Sequence, residues 1–149
     1  MMAGIKIREH IEETGKVFEK FGLTPMQGRI LAYFANSEKP ESTFSDLVTF
    51  FRASKSSIST SLNYLLSIKM IDYKTFASER KKYFFLTDTF FIIYFRQVLE
   101  NVKELKELCY KTVSYRSVEY PEVSSKIFKW IEGANVFEEE ITTVLSKIE

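Results

Sequence analysis

Residues 43–87, TFSDLVTFFRASKSSISTSLNYLLSIKMIDYKTFASERKKYFFLT, decide the fold. Apolar side chains recur every three to four positions in residues 43–51 and again in residues 54–69, which predicts two helices. Arg52-Ala53 interrupts the pattern between them, and Ser54 is a good N-cap for the second helix. Two short helices joined by a tight turn predict a helix-turn-helix.

The pattern then changes from helical to extended. Ile71–Phe76 and Lys82–Thr87 are rich in β-branched and aromatic residues, which favours two strands. The segment between them, residues 77–81, is polar and basic. A helix-turn-helix followed directly by a charged β-hairpin predicts a winged helix, with residues 23–87 as the DNA-binding domain.

Helical patterns flank this domain on both sides. Residues 5–21 predict an N-terminal helix that ends at Gly22, and a Thr24/Gln27 capping box starts a helix over Pro25–Asn36. Residues 37–42 read as a loop. We assign residues 1–22 to an N-terminal helix that precedes the winged helix.

The C-terminal region, residues 88–149, predicts two further helices. The first covers Asp88–Tyr110, and a linker over Ser117–Pro121 precedes the second, which Gly133 bends or divides. Amphipathic helices of this length need a partner surface, and a second copy of the chain is the expected partner. The predicted fold class is therefore mainly α with a small β-wing, a winged helix-turn-helix with N- and C-terminal dimerisation helices.

Composition removes several functional classes. One Cys and one His are too few for a disulfide framework or an ordinary zinc site. We read Cys109 as a core residue and His10 as a surface residue. The sequence has neither a glycine-rich phosphate loop nor a suitably placed His for a catalytic dyad, and Glu138–Glu140 is a surface charge run. No enzyme activity, catalytic residue, metal or cofactor is predicted.

The sequence also bears on location. Its first sixteen residues lack the apolar stretch of a signal peptide. The longest strongly apolar run, Phe90–Phe95, is too short to span a bilayer. We expect a cytoplasmic protein that makes no membrane contact.

Positive and negative charges are unevenly distributed along the chain. The net charge is only +1, yet residues 52–82 hold seven Lys and Arg against two Asp and Glu, a net of +5. The rest of the chain is correspondingly acidic. Because phosphate neutralisation supplies much of the affinity for DNA, the basic segment is the predicted site of contact.

The helix over residues 54–69, the reading helix, supports the same interpretation. At 100° per residue its apolar side chains share one side, while Ser, Thr and Asn occupy the other. Solvent-exposed helix faces usually carry better helix formers, so this face suits a hydrogen-bonding surface such as a major groove. A soluble helix of poor propensity is the alternative. The predicted DNA-binding residues are Arg52, Lys55, Ser56, Ser57, Ser59, Thr60, Asn63, Arg80, Lys81 and Lys82.

Residues 20–90 resemble the MarR-like winged-helix transcription regulators, in particular their GbsR branch. The resemblance lies in Gly28-Arg29-Ile30, in the Ser54-Lys55 start of the reading helix with Ser59 beyond it, and in the wing from Arg80-Lys81 to Tyr83. It implies a homodimeric DNA-binding regulator whose N- and C-terminal helices join the subunits.

Two positions depart from the family pattern. Arg52 stands in the helix-turn-helix turn, where the family usually has Gly, and a left-handed conformation there would be strained. Ala77-Ser78 replaces the usual Gly of the wing.

Aromatic residues make up 15% of the chain and concentrate in a few segments. Some regulators similar to this chain sense quaternary ammonium compounds, which aromatic cages hold by cation–π attraction. Phe91, Tyr94, Phe95 and Trp130 are candidates for such an effector pocket. Alternatively, these rings simply fill the core and the dimer interface.

Taken together, the sequence predicts a homodimeric regulator that binds a pseudo-palindromic site in double-stranded DNA, with a small molecule as a further candidate partner. The alternative is a winged-helix module that scaffolds a protein complex without touching DNA.

Overall fold

The computed structural model describes residues 2–149, with side chains from residue 4 onwards. It divides into two compact units, of which the first ends at Phe90 and the second covers Phe91–Glu149. The helices are α1 (Met2–Glu19), α2 (Pro25–Asn36), α3 (Phe44–Phe51), α4 (Lys55–Ser67), α5 (Phe90–Tyr115) and α6 (Pro121–Ile148). The strands are β1 (Ser42–Thr43), β2 (Ile71–Thr75) and β3 (Lys82–Leu86). The described chain is thus mainly helical with a small antiparallel sheet, as predicted.

The first unit is a winged helix built around a three-stranded sheet. Its strand order is β1-β3-β2, with Phe84 of β3 opposite Ser42 on one side and Tyr73 on the other. The side chains buried most completely come from α2, α3, α4 and β2: Ile30, Leu31, Leu47, Ile58, Leu65 and Ile71. This core holds the inner side of α4 and leaves its outer side exposed.

Helix α1 packs against α2 at a close crossing of two glycines. A Cβ atom added to Gly28 would lie 2.6 Å from the carbonyl oxygen of Gly15, too close for any side chain. Arg29 Nε donates to Glu12 Oε2 at 2.9 Å beside this crossing. The small residues therefore let the two backbones approach, and α1 belongs to the winged-helix unit.

In the second unit, α5 and α6 form an antiparallel hairpin. Cys109 and Ile127 pack with Ile131 in its buried seam, and Val113 packs against them. Lys106 Nζ donates to Glu138 Oε2 at 2.5 Å, nearer the open end of the hairpin.

The structure corrects several element boundaries. Residues 42–43, predicted as loop and helix start, form β1, because Ser42 and Thr43 pair with the wing strand β3. Helix α5 runs five residues beyond Tyr110, to Tyr115. Gly133 does not divide α6, because one glycine costs only about 1 kcal/mol, which the burial of Ile131 before it and of Leu145 after it offsets.

Candidate nucleic-acid interface

The turn before α4 fixes where the helix starts. Arg52 ends α3 in the left-handed region, with φ 50° and ψ 35°, so the turn keeps the conformation that glycine favours. Ser54 then caps α4, because its hydroxyl accepts a hydrogen bond from the backbone N–H of Ser57 at 3.2 Å. The strain expected at Arg52 is therefore present, and the helix-turn-helix geometry is preserved despite it.

A second left-handed residue, Lys69, ends α4 and leads into β2. Two hydroxyls at the base of the wing, just after β3, donate hydrogen bonds to its carbonyl oxygen. Thr87 Oγ1 donates to the carbonyl oxygens of Lys69 at 2.7 Å and Met70 at 2.8 Å, and Thr89 Oγ1 donates to that of Lys69 at 3.0 Å. These bonds join the end of the reading helix to the base of the wing, where β3 ends.

The outward side of α4, the reading face, carries no charged side chain. Ser56, Thr60 and Asn63 are exposed, while Ser57 and Ser59 are half-buried. Tyr64, on the same face, is 43% exposed. The charged residues Arg52, Lys55 and Lys69 lie at the two ends of the helix, outside this face.

One groove joins the reading face to the wing. This wing groove has a volume of about 450 Å³, an apolar floor that includes Leu62 and Phe84, and a polar rim. The rim brings together five of the predicted DNA-binding residues: Ser59, Asn63, Arg80, Lys81 and Lys82. Hydrogen-bonding groups from α4 and cations from the wing thus share a single concave surface.

Three other predicted residues line the opposite flank of α4. Ser56, Ser57 and Thr60 lie in a separate concavity of about 500 Å³, together with the start of α2 at Thr24-Pro25. The reading face therefore has two flanks, and the ten predicted residues do not form one patch. Arg52 and Lys55 are exposed at the N-terminal end of α4, and both are close in sequence to residues of the two flanks.

The cations of the wing differ in how they are held. Lys74 Nζ pairs with Glu41 at 2.8 Å, and Lys82 Nζ lies 4.4 Å from the centre of the Tyr73 ring. Arg80 and Lys81 are exposed and make no hydrogen bond or ion pair within the described residues. These two are therefore the free cations of the wing tip, available to phosphate.

The loop at the wing tip has no glycine, and contacts within the wing stabilise it instead. The backbone N–H of Glu79 donates to the carbonyl of Phe76 at 3.0 Å, and the Phe76 and Tyr83 rings meet edge to face at 5.2 Å. The Tyr83 hydroxyl donates to Glu79 Oε2 at 2.5 Å. This hydrogen bond, followed by burial and the nearby Glu79 charge, raises the pKa of Tyr83 above its usual value.

Sequence reasoning missed the neighbours that other elements contribute. Thr43, Phe44 and Ser45, at the start of α3, line the wing groove, and Thr24-Pro25 lines the other flank. The capping signals at the starts of α2 and α3 are visible in the sequence. No pattern along the chain, however, predicts that these two helix starts lie beside α4.

The four aromatic residues considered for an effector pocket do not meet within one protomer. Phe91, Tyr94 and Phe95 lie at the start of α5, where the Phe91 and Phe95 rings stack at 6.1 Å. Trp130 lies in α6, in a hairpin register where Lys106 faces Glu138. At 1.5 Å per residue this places Trp130 about 28 Å along the hairpin from Phe95. A pocket lined by all four residues of one chain is therefore not formed.

Within residues 2–149, no helix is long and apolar enough to cross a membrane. The same residues contain no group of three or more His, Cys, Asp or Glu side chains that could hold a metal ion.

The chain is similar to known proteins both in sequence and in fold. No protein-family model matches the chain. MmpR5, an HTH-type transcriptional regulator of Mycobacterium tuberculosis (strain ATCC 25618 / H37Rv), is 29% identical over 102 residues, which are 68% of this chain and 62% of MmpR5. The chain therefore spans less than two thirds of that relative.

A solved structure gives the likeness over nearly the whole chain. It is the crystal structure of a transcriptional regulator, 24% identical, and it aligns with a TM-score of 0.75 over 96% of this chain and 97% of its own. Together with the observed helix-turn-helix and three-stranded wing, this likeness establishes that the chain has a winged-helix fold shared with a transcriptional regulator.

Proposed function

We propose that this chain is a transcriptional regulator that binds double-stranded DNA sequence-specifically as a homodimer. The observation that carries the proposal is the wing groove, where Ser59 and Asn63 of the reading face lie beside the free cations Arg80 and Lys81. An uncharged, hydroxyl-rich helix face flanked by cations suits a major groove bordered by phosphates. The likeness to MmpR5, an HTH-type transcriptional regulator, supports the same proposal.

In the proposed complex α4 enters the major groove. Lys55 and the N-terminus of α4 hold one phosphate, since both present positive charge at the same end of the helix. Arg52 adds a further cation before this end, and Lys82 adds one on the wing. Arg80, at the wing tip, enters the adjacent minor groove. Ser56, Ser57, Ser59, Thr60 and Asn63 face the bases.

The homodimer is proposed from an unpartnered apolar stripe on the hairpin. At 100° per residue, and with the helices antiparallel, five exposed apolar residues fall on one side of α5 and α6. They are Leu105, Leu108, Tyr115, Val123 and Trp130, between 44% and 76% exposed. A contiguous apolar face of this kind is typical of a protein interface. A two-fold dimer would meet a pseudo-palindrome with half-sites about one helical turn apart.

Three finer assignments belong to the proposal. The resemblance to the GbsR branch supports placing the chain there among the MarR-like regulators, and the proposed function supports a cytoplasmic location. An effector pocket rests on Phe91, Tyr94 and Phe95 alone, where the Phe95 ring contacts the rings of both Phe91 and Tyr94. Calorimetric titration with tetraethylammonium tests that pocket, and the absence of saturable heat would remove it.

The DNA contacts are tested by salt-dependent binding to a mixed-sequence duplex. Lys55→Ala and Arg80→Ala should each weaken binding and lower the slope of log K against log salt by about one, because each removes one phosphate contact. Lys147→Ala is the matched control, since Lys147 is an exposed cation on α6. If neither variant differs from the control, the assigned contacts are wrong.

The protein-interaction module is the second candidate, and the exposed apolar stripe is the observation that favours it. Molecular mass in solution and retention on duplex DNA separate the two candidates. A dimer retained on DNA at low salt supports the regulator, whereas a monomer indifferent to DNA supports the scaffold.

A further inference from the structure

The reading face has an unusual chemistry for a surface that reads bases. Guanine is most often read by Arg or Lys, whose donors pair with O6 and N7, and adenine by Asn or Gln, whose amide pairs with N6 and N7. None of the exposed or half-buried side chains on this face is Arg or Lys. The cations near α4 lie at its ends, in the left-handed positions Arg52 and Lys69 and at the first helical residue, Lys55.

Asn63 is the single amide side chain on α4. It is exposed, it lines the wing groove, and its amide makes no hydrogen bond within the described residues. Asn is also a poor helix former, so its place in the middle of a helix is not explained by local propensity. Its donor and acceptor are therefore both available to a base edge.

The neighbours of Asn63 add contacts that fit A·T pairs. Thr60, one turn earlier, presents a methyl group, and Tyr64 presents a 43% exposed ring. Apolar groups of this kind contact the thymine methyl. Across the wing groove Arg80 is free, and arginine is attracted to the narrow minor groove of A-tracts.

We propose that Asn63 is the specificity-determining residue of the reading face, that it reads an adenine, and that the operator half-site is therefore built on A·T rather than G·C pairs. This inference rests on the proposed DNA-binding function. It specifies the base composition of the operator, which neither the fold nor the basic wing determines.

The first test is selection of bound sequences from random duplex DNA, with the full-length wild-type chain and Asn63→Ala side by side. Wild type should recover a site with a fixed adenine in each half, and Asn63→Ala should lose the preference at that position only. Ser67→Ala is the matched control on the same face, because its hydroxyl is already bonded to the Tyr64 carbonyl at 2.6 Å. It should recover the wild-type site.

The second test removes one base atom. Replacing the fixed adenine by 7-deazaadenine deletes the N7 acceptor and keeps N6, and it should weaken wild-type binding by less than the roughly 5- to 150-fold that a whole bidentate base contact contributes. Asn63→Ala should be indifferent to the replacement. Asn63→Arg should shift the selected base from adenine to guanine.

The outcomes separate this inference from the function it rests on. A selected site dominated by G·C pairs, or an Asn63→Ala variant that keeps its sensitivity to 7-deazaadenine, overturns the assignment of Asn63 while DNA binding stands. Absence of binding to any duplex overturns the proposed function itself, and the inference with it.

Discussion

At the scale of single residues, Arg52 combines two roles that oppose each other. It ends α3 at φ 50°, where a side chain costs about 1–2 kcal/mol. Its guanidinium is exposed immediately before α4, where a phosphate contact is proposed. Stability at this position favours glycine, and the proposed binding favours arginine.

Arg52→Gly should therefore stabilise the fold and weaken DNA binding. We expect a gain of about 0.5–1 kcal/mol in the free energy of unfolding, since relief of strain exceeds the entropy that glycine adds to the unfolded chain. Urea unfolding measures the gain, and duplex binding measures the loss.

Arg52→Ala separates the two effects, because it removes the charge and keeps the strain. It should bind DNA as weakly as Arg52→Gly without the gain in stability. If Arg52→Gly is less stable than wild type, the left-handed turn is not a source of strain.

The unusual turn at Arg52 could be predicted from the sequence, whereas the position of Trp130 relative to Phe95 could not. The absence of glycine in the turn was visible, and the structure keeps the left-handed conformation there. The distance of Trp130 from Phe95 was not visible, because it depends on the register between α5 and α6. That register is set by contacts such as Lys106 with Glu138, which lie 32 positions apart.

At the scale of secondary-structure elements, glycine plays opposite structural roles in two helices. At Gly28 a Cβ atom would meet the Gly15 carbonyl oxygen at 2.6 Å, whereas at Gly133 nothing lies within 4 Å. The first glycine allows two helices to cross closely, and the second sits in open space on α6.

Alanine at these two positions should change stability in opposite directions. Gly28→Ala should lower the free energy of unfolding by about 1–3 kcal/mol, because α1 must move away from α2. Gly133→Ala should raise it by up to about 1 kcal/mol, through higher helix propensity. Thermal and urea unfolding measure both, and a stable Gly28→Ala variant would contradict the close crossing.

We expect the stability of the α5–α6 hairpin to depend on pH through the Lys106–Glu138 ion pair. The hydrogen bond from Lys106 holds the pKa of Glu138 below its usual value of 4.5. A carboxyl whose pKa is lowered on folding stabilises the folded state above its usual pKa, and this contribution is lost as the pH falls through the lowered value.

Glu138→Gln should therefore be less stable than wild type at pH 7 and should lose less stability on acidification. The midpoint of thermal unfolding, followed from pH 7 down to about pH 3, checks this. Glu140→Gln, an exposed carboxyl on the same helix, is the control and should follow wild type. Parallel curves for Glu138→Gln and wild type would contradict the role of the pair.

Most elements were predictable because their signals are local. The capping boxes at Thr24 and Thr43 both form, and the N-cap at Ser54 starts α4. The two-residue strand β1 was not predictable, since two residues have no periodicity and Ser42 becomes a strand only by pairing with Phe84. The shape of the wing groove depends on the same long-range pairing.

At the scale of the whole molecule, the proposed homodimer should depend on the apolar stripe of the hairpin. Trp130→Glu should convert the dimer to a monomer and lower DNA affinity, since one half-site is then bound alone. Sedimentation measures the mass, and duplex binding measures the affinity.

Phe128→Glu is the matched control for the dimer. Phe128 is 48% exposed on the same helix but points to the opposite side of α6 from Trp130. This variant should remain a dimer. A dimeric Trp130→Glu variant would exclude the stripe as the interface.

The hydroxyls of Thr87 and Thr89 that hold Lys69 have a mechanical consequence. They tie the end of α4 to the base of the wing, where β3 ends, and so restrain the base of the wing relative to the reading helix. Under the proposed function, the reading helix and the β-hairpin that carries Arg80 then approach the duplex as parts joined at one point, the base of the wing. We therefore expect binding to respond to the spacing between neighbouring grooves as well as to base identity, so that a duplex of the right sequence but with an altered groove width binds more weakly.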